Sequence, residues 1–196
     1  MALFVCELRT LRDKSGNSSP VLVLQRQGDR TIGQDIAIGG GPPVLARHHL
    51  PVSALKLELT ETVLINNPGM ALDIFNRLID LGSSIALDDF GTGHSNLEVL
   101  HRYPLHTMKI DRSFVSEMLS TPHSARIVQS SIDLAHSLRM DVVAEGIEDE
   151  AQRSALMRLG CEYGQGWLFG RPMRAADAVA WLAGLDEERR SERQLA

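Results

Sequence analysis

The chain has 196 residues, of which 43% are hydrophobic, and a formal net charge of -5. That length and apolar content suffice for one globular domain with a sizeable core, which argues against a disordered chain. The negative charge disfavours nucleic-acid binding and a polyphosphate-binding surface, so we expect any nucleotide contact to be local and mediated by metal ions.

Cysteine usage and hydropathy indicate the cellular compartment. Cys6 and Cys161 show no CxxC spacing and fit free thiols in a reducing environment. No apolar run approaches the roughly 20 residues that a membrane span requires, and Met1 is not followed by a signal-peptide pattern. We therefore expect a cytoplasmic protein without a membrane span.

Residues 1–43 give the weakest structural pattern in the chain. One short strand is predicted there, over Val21–Leu24, and a run of Gly and Pro that ends at Pro43 breaks any regular element. A short helix is predicted over residues 44–50. Residues 1–43 are therefore interpreted as a divergent N-terminal segment.

From residue 55 onward, predicted strands and helices alternate. Asn67 and Pro68 provide an N-cap and a first helical residue, and Gly82 ends that helix. The predicted strands are 55–60, 85–87, 107–110, 141–144 and 162–167. The predicted helices begin at Pro68 and after Ser95, and later cover 127–138, 151–159 and 175–182. Such alternation is typical of parallel β/α units and predicts a (β/α) TIM-type barrel.

Charged and polar residues recur at the carboxyl ends of the predicted strands. In a barrel these ends form one mouth, where barrel enzymes carry their chemistry. Each residue alone also has an ordinary interpretation as a solvated turn or surface residue. We expect all of them to converge on one site: Glu58, Asp88, Asp89, Lys109, Glu145 and Gln165.

Two adjacent acids are the most suggestive part of this pattern. Asp88 and Asp89 follow the buried apolar run 85–87 and precede a flexible loop, after which a short helix begins. Paired acids beside a mobile loop can hold one or two hard divalent cations. The alternative is a turn whose acids are solvated or cap a helix. The loop and cap residues are Gly91, Thr92, Gly93 and Ser95.

At these residues the chain resembles the EAL-domain family, phosphodiesterases of the bacterial second messenger cyclic di-GMP. The resemblance runs from about Val44 to the last predicted helix and rests on five ordered strings. They are Leu57-Glu-Leu-Thr-Glu61, Asp88-Asp-Phe-Gly-Thr-Gly93 with Ser95, Lys109-Ile-Asp111, Ala144-Glu-Gly-Ile-Glu148, and Gly164-Gln-Gly166 with Phe169-Gly-Arg-Pro172.

The resemblance implies a site with two Mg2+ or Mn2+ ions. It makes Glu58 and Asp89 metal ligands, and Asp88 a ligand that bridges the two ions. Glu145 would complete the metal shell. Such cations lower the pKa of a bound water and neutralise charge on the transition state, while Lys109 positions the hydroxide.

The resemblance also implies supporting roles. Gln165 would orient the attacking water or its neighbours. Glu61 resembles an acid that steadies the loop from Gly91 to Asn96, and Glu148 resembles an acid behind the metal ligands.

The chain departs from the family pattern at the front. Family members carry a metal-binding Glu in the first strand and an Asn at the end of a later strand, and a forced alignment places Leu22 at the Glu position. The 43 residues before Val44 are too few for the missing β/α units, since one βαβ unit needs about 30 or more. We therefore expect a barrel that is incomplete at its N-terminus, with residues 44–184 as the barrel portion and 185–196 as a charged tail.

The functional hypothesis is an EAL-type phosphodiesterase that hydrolyses cyclic di-GMP to linear pGpG, with activity impaired by the missing ligands. The alternative is an inactive EAL-like receptor or interaction module. An unrelated barrel enzyme for sugar phosphates would need a phosphate-binding Gly loop, for which Gly164–Gly166 is a poor candidate. We also expect homodimers or larger self-association, because a strand without a partner on one side invites pairing.

Overall fold

The structure is a computed structural model of the 196-residue chain. It describes residues 4–10, 21–25, 56–60, 68–92, 97–171, 173–174 and 177. Within these residues, no helix is long and apolar enough to cross a membrane.

One sheet organises the described part of the chain. Its strands are β1 (Phe4–Thr10), β2 (Val21–Gln25), β3 (Lys56–Thr60), β4 (Ser84–Phe90), β5 (Thr107–Ile110), β6 (Asp141–Ala144), β7 (Tyr163–Gly164) and β8 (Met173–Arg174). The helices are α1 (Pro68–Asp80), α2 (Leu97–Arg102), α3 (Arg112–Glu117), α4 (Pro122–Ser137) and α5 (Glu150–Leu159).

The order of strands confirms the predicted α/β architecture. Strands β3, β4, β5, β6 and β7 lie side by side in sequence order, and each pairs in parallel with the next. Helices connect them, as parallel neighbours require. The carboxyl ends of all five strands therefore meet at the same edge of the sheet.

The pairs formed by the N-terminal strand β1 are antiparallel. The strand predicted at Val21–Leu24 is present as part of β2, but it pairs antiparallel with β1, and β1 pairs antiparallel with β7 and β8. Sequence reasoning did not foresee the antiparallel pairs. Within the described residues, β3 has a hydrogen-bonded neighbour only on its β4 side, and it also lies close to β2.

Burial explains why the central strands read as apolar runs. All four residues of β5 are buried, and Ile85, Ala86 and Leu87 of β4 are buried on both faces. A strand covered by helices on both faces has no solvent side and shows no polar alternation. The core continues into the helices through Phe75 and Leu78 of α1.

Helix ends follow their local sequence. The helix α1 begins at Pro68, as predicted. The Asp149 side chain caps α5 by accepting a hydrogen bond from the backbone N–H of Gln152. The Gln152 side chain in turn accepts from the backbone N–H of Asp149, which completes a capping box. Gly160, in the left-handed conformation, ends that helix as predicted.

Several predictions differ from the structure in detail. The helix α3 was not predicted, and the predicted strand 162–167 is ordered as a strand only over Tyr163–Gly164. Leu138, the last residue of the predicted helix 127–138, is the C-cap of α4 and is exposed. The predicted helices 44–50 and 175–182 and the charged tail fall outside the described residues, apart from residue 177, which is helical.

Candidate active site

The predicted site residues within the described chain lie at the carboxyl edge of the parallel strands. They come from five successive parallel strands, so the fold brings together residues that are far apart in sequence. Glu58 is in β3, Asp88 and Asp89 are in β4, Lys109 is in β5, Glu145 follows β6 and Gln165 follows β7.

Lys109 is the centre of the site. Its side chain is 1% exposed, and its Nζ lies 2.8 Å from Glu58 Oε2, 2.8 Å from Asp88 Oδ1 and 2.6 Å from Glu145 Oε1. The contact with Glu58 is a hydrogen bond donated by the ammonium. A buried ammonium is tolerated because three carboxylates surround it.

Electrostatics keep this ammonium charged. Burial alone would lower the pKa of Lys109, but the attraction of Glu145, Glu58 and Asp88 outweighs burial and raises the pKa of Lys109 above its usual range. Burial raises the pKa of the Glu145 carboxyl, and Lys109 opposes that shift. The site is therefore anionic around one fixed positive charge.

The two acids of β4 are presented by a distorted strand. Asp89 has a φ of 54°, and the pairing register between β4 and β5 shifts between Leu87 and Phe90. In a regular strand, neighbouring side chains point to opposite faces. Because of the distortion, Asp88 and Asp89 each bring a carboxylate oxygen within 4.8 Å of Glu145 and of one another.

These residues fit a site for hard divalent cations. Asp88, Asp89 and Glu145 supply only carboxylate oxygens, which are the ligands that Mg2+ and Mn2+ prefer. Glu58 Oε1 is buried and has no hydrogen-bond partner among the described residues, so it has capacity for a further ligand. Burial, followed by the charges of Asp88 and Asp111, raises the pKa of Asp89, and a nearby cation would relieve that repulsion.

Gln165 is held at the same edge by its backbone. Its N–H donates to the Ala144 carbonyl at 2.9 Å, and its carbonyl accepts from the Ile147 N–H at 3.1 Å. The side-chain Oε1 is buried and has no hydrogen-bond partner among the described residues. A buried amide oxygen without a partner is suited to a bound ligand or water.

Of the six remaining predicted residues, three lie within the described residues and three lie outside them. Gly91 and Thr92 form the turn after β4, where Thr92 N–H and Oγ1 both bond to the Asp89 carbonyl. Glu148 is exposed, and its N–H donates to Gln152 Oε1 at the start of α5. Glu61, Gly93 and Ser95 lie outside the described residues.

Sequence reasoning noted Asp111 but gave it no role at the site. Asp111 caps α3 by accepting the Ser113 N–H at 2.9 Å, and its charge contributes to the raised pKa of Asp89. Asp is a favoured N-cap residue because its side chain accepts a backbone N–H of the first helical turn, so the cap was readable from sequence. Its closeness to Asp89 was not, because that depends on the pairing of β4 with β5.

Comparison with known proteins places this geometry in context. The model of the EAL domain family matches residues 43–172. The chain is 40% identical over 157 residues to the cyclic di-GMP phosphodiesterase RocR of Pseudomonas aeruginosa, covering 80% of this chain and 39% of RocR. It is 43% identical over 139 residues to the bifunctional diguanylate cyclase/cyclic di-GMP phosphodiesterase MucR of the same organism, covering 71% of this chain and 20% of MucR. The chain thus spans well under half of either relative.

Solved structures agree on the fold. The EAL domain of Mycobacterium smegmatis DcpA superposes with a TM-score of 0.76 at 26% identity, covering 94% of this chain and 96% of that one. The MucR phosphodiesterase in complex with c-di-GMP gives a TM-score of 0.71 at 26% identity, covering 91% and 93%. The parallel sheet together with these likenesses confirms the predicted TIM-barrel-like class.

Proposed function

Because this chain belongs to the EAL domain family, we propose that it hydrolyses cyclic di-GMP to linear pGpG with the help of divalent cations. The observation that carries the proposal is the buried Lys109 ammonium within 2.8 Å of three carboxylates from three different strand ends. We assign the activity to residues 44–184. In the reaction, water attacks one phosphorus, a P–O bond to a ribose oxygen breaks, and that oxygen leaves with a proton.

The residues of the site suit this reaction. Lys109 keeps its positive charge, which would stabilise the negative charge that develops on the reacting phosphate. Glu145 lies 2.6 Å from Lys109 and fixes the ammonium in place. The unpartnered Oε1 of Gln165 accepts a hydrogen bond from water and so orients it.

We assign the cations, Mg2+ or Mn2+, to Glu58, Asp88, Asp89 and Glu145. When bound, such cations lower the pKa of water and neutralise phosphoryl charge. Three of these carboxylates are held in place for this role by ion pairs with Lys109, namely those of Glu58, Asp88 and Glu145. A preorganised shell costs little reorganisation when it is filled.

A non-catalytic cyclic di-GMP receptor is the second candidate, and the N-terminal strands favour it. The strand β1 runs antiparallel to β7, so its carboxyl end points away from the edge that carries the site. No parallel strand precedes β3 within the described residues, and a first-strand Glu ligand has no equivalent there. We therefore expect slower turnover than in family members with a complete set of ligands.

The decisive experiment measures binding and turnover on the same sample. The chain is incubated with cyclic di-GMP and Mn2+, the linear product is followed by chromatography, and affinity is measured by calorimetry in Ca2+. Product formation that disappears in Asp88→Asn supports the phosphodiesterase. Tight binding without product at high enzyme concentration supports the receptor, and neither binding nor product refutes both.

A further inference from the structure

The short helix α3 (Arg112–Glu117) contacts two loops that follow carboxylates of the site, one after Asp88 and Asp89 and the other after Glu145. One loop follows β4 and includes Gly91, and the other follows β6 and includes Gly146. Both glycines have positive φ values, 95° and 70°. We propose that α3 is a spacer that sets the distance between these loops, with Phe114 and Arg112 as positioning residues for the acids beside them. The proposal rests on the cation site proposed above.

The first contact joins α3 to the loop after β4. A Cβ added at Gly91 would lie 2.9 Å from Cε2 of Phe114, so the backbone of the loop rests directly on the phenyl ring. Phe114 is partly buried and packs against the hydrophobic core, which restricts movement of the ring. A larger residue at Gly91 would have to displace the ring and would also be strained at a φ of 95°, so the contact and the backbone both favour glycine there. The ring thus fixes the turn that begins at Asp89.

The second contact joins α3 to the loop after β6. A Cβ added at Gly146 would lie 2.5 Å from Cβ and 3.3 Å from Cα of Arg112. The loop backbone therefore packs against the first residue of the helix, and it does so directly after Glu145. The Glu145 N–H also donates to the Ile110 carbonyl at 3.1 Å, which ties this loop to the strand leading into α3.

The start of the helix makes a third link. Asp111 lies two residues after Lys109 and caps α3 by accepting the Ser113 N–H at 2.9 Å. The strand β5 carries Lys109, so the central ammonium and the spacer helix belong to one continuous segment. A shift of α3 would change the separation of Asp88 and Asp89 from Glu145, whose oxygens lie within 4.8 Å of one another.

Hydrogen exchange tests the spacer directly and needs no cation. In Phe114→Ala we expect amide exchange in residues 89–92 to rise about tenfold, because that loop loses its support. Val115→Ala is the matched control, since Val115 is fully buried on the same helix. Phe114→Leu should return most of the protection.

A second pair of variants tests the other loop. Arg112→Gly removes the Cβ under Gly146 and should speed exchange in residues 145–148 about tenfold. Ser116→Gly is its control, because it introduces the same flexibility at another exposed position of the helix. Faster exchange confined to the loop that lost its contact supports the spacer. An unchanged loop in either variant, or equal effects in the controls, overturns it.

Calorimetry with Mn2+ then connects the spacer to the site. Phe114→Ala should bind Mn2+ about tenfold more weakly than Val115→Ala, because the carboxylates near the unsupported loop would be misplaced. Removing residues that support metal ligands weakens metal binding by a similar factor in other proteins. Equal affinities would refute the positioning role. A wild-type chain that binds no Mn2+ would refute the proposed cation site, and the exchange data would still decide on the spacer.

Discussion

Replacing Lys109 with Met is the sharpest perturbation of this site. Met keeps an unbranched side chain of similar length and removes the ammonium, so three acids lose the charge they share. Glu58, Asp88 and Glu145 have side chains only 6%, 13% and 15% exposed, which leaves little water to compensate. We expect a large loss of stability in the absence of divalent cations.

The expected size follows from the distances. At 2.8 Å and an effective dielectric constant of about 20, each pair contributes about 6 kcal/mol of attraction before desolvation is subtracted. Breaking a buried pair by removing one partner costs about 3–5 kcal/mol net. For a chain of this size, that loss corresponds to a fall in Tm of about 6–20 °C.

The assay is urea unfolding in chelator, repeated with Mn2+. The control is Lys56→Met, which removes a partly buried ammonium that donates to the Thr107 hydroxyl at 3.0 Å rather than to a carboxylate. Burial lowers the pKa of Lys56, so its charge already comes at a cost, and we expect a change of only about 1 kcal/mol. Mn2+ should stabilise Lys109→Met more than wild type, because it supplies positive charge to the same acids.

Two results would refute this reasoning. A loss of stability in Lys109→Met no larger than in Lys56→Met would mean that the ion pairs contribute nothing beyond ordinary packing. Equal stabilisation of Lys109→Met and wild type by Mn2+ would mean that the cation and the ammonium do not act on the same carboxylates.

Three further predictions concern charge and assembly. Asp88→Asn should weaken Mn2+ binding by about 10- to 100-fold in a calorimetric titration. The control Asp80→Asn, at an exposed position, should leave the titration unchanged. Equal losses of affinity in the two variants would remove Asp88 from the site. Because burial raises the pKa of Glu145, its contribution to stability is complete below the ordinary value of 4.5 and is lost as pH rises through the raised value. Thermal melts in chelator should show a smaller fall over that range in Glu145→Gln, and parallel curves would contradict the shift. Because β3 has a hydrogen-bonded neighbour on only one side among the described residues, light scattering should show self-association, and a monomer at high concentration would count against it.

The repeating β/α pattern was readable from sequence because burial leaves a direct mark on composition. Strands covered on both faces lose polar alternation, as in β4 and β5, and helix ends carry local signals such as Pro68 and Gly160. Charged residues recur at the carboxyl ends of successive strands, and this recurrence predicted that Glu58, Asp88, Lys109 and Glu145 would converge. In the structure, Lys109 forms ion pairs with the three acids.

Features that depend on tertiary geometry were not readable. The register shift that turns Asp88 and Asp89 toward Glu145 arises from the pairing of β4 with β5, not from the local sequence. The short helix α3 was missed because six residues give too short a periodicity to detect. The antiparallel course of β1 depends on partners from the far end of the chain.

The sheet order has a consequence for folding kinetics. From β3 to β7, every strand pairs with its neighbour in sequence, so each step closes a loop across one intervening segment. The pairing of β1 with β7 joins opposite ends of the chain through only two residue pairs, Arg9 with Gly164 and Thr10 with Tyr163. The pairing of β1 with β8 also rests on two residue pairs and spans a similar length of chain, so both contacts of β1 with the C-terminal strands combine a large loop-closure entropy with a small contact. The parallel strands should therefore assemble first, and β1 should dock last and detach first under denaturing stress.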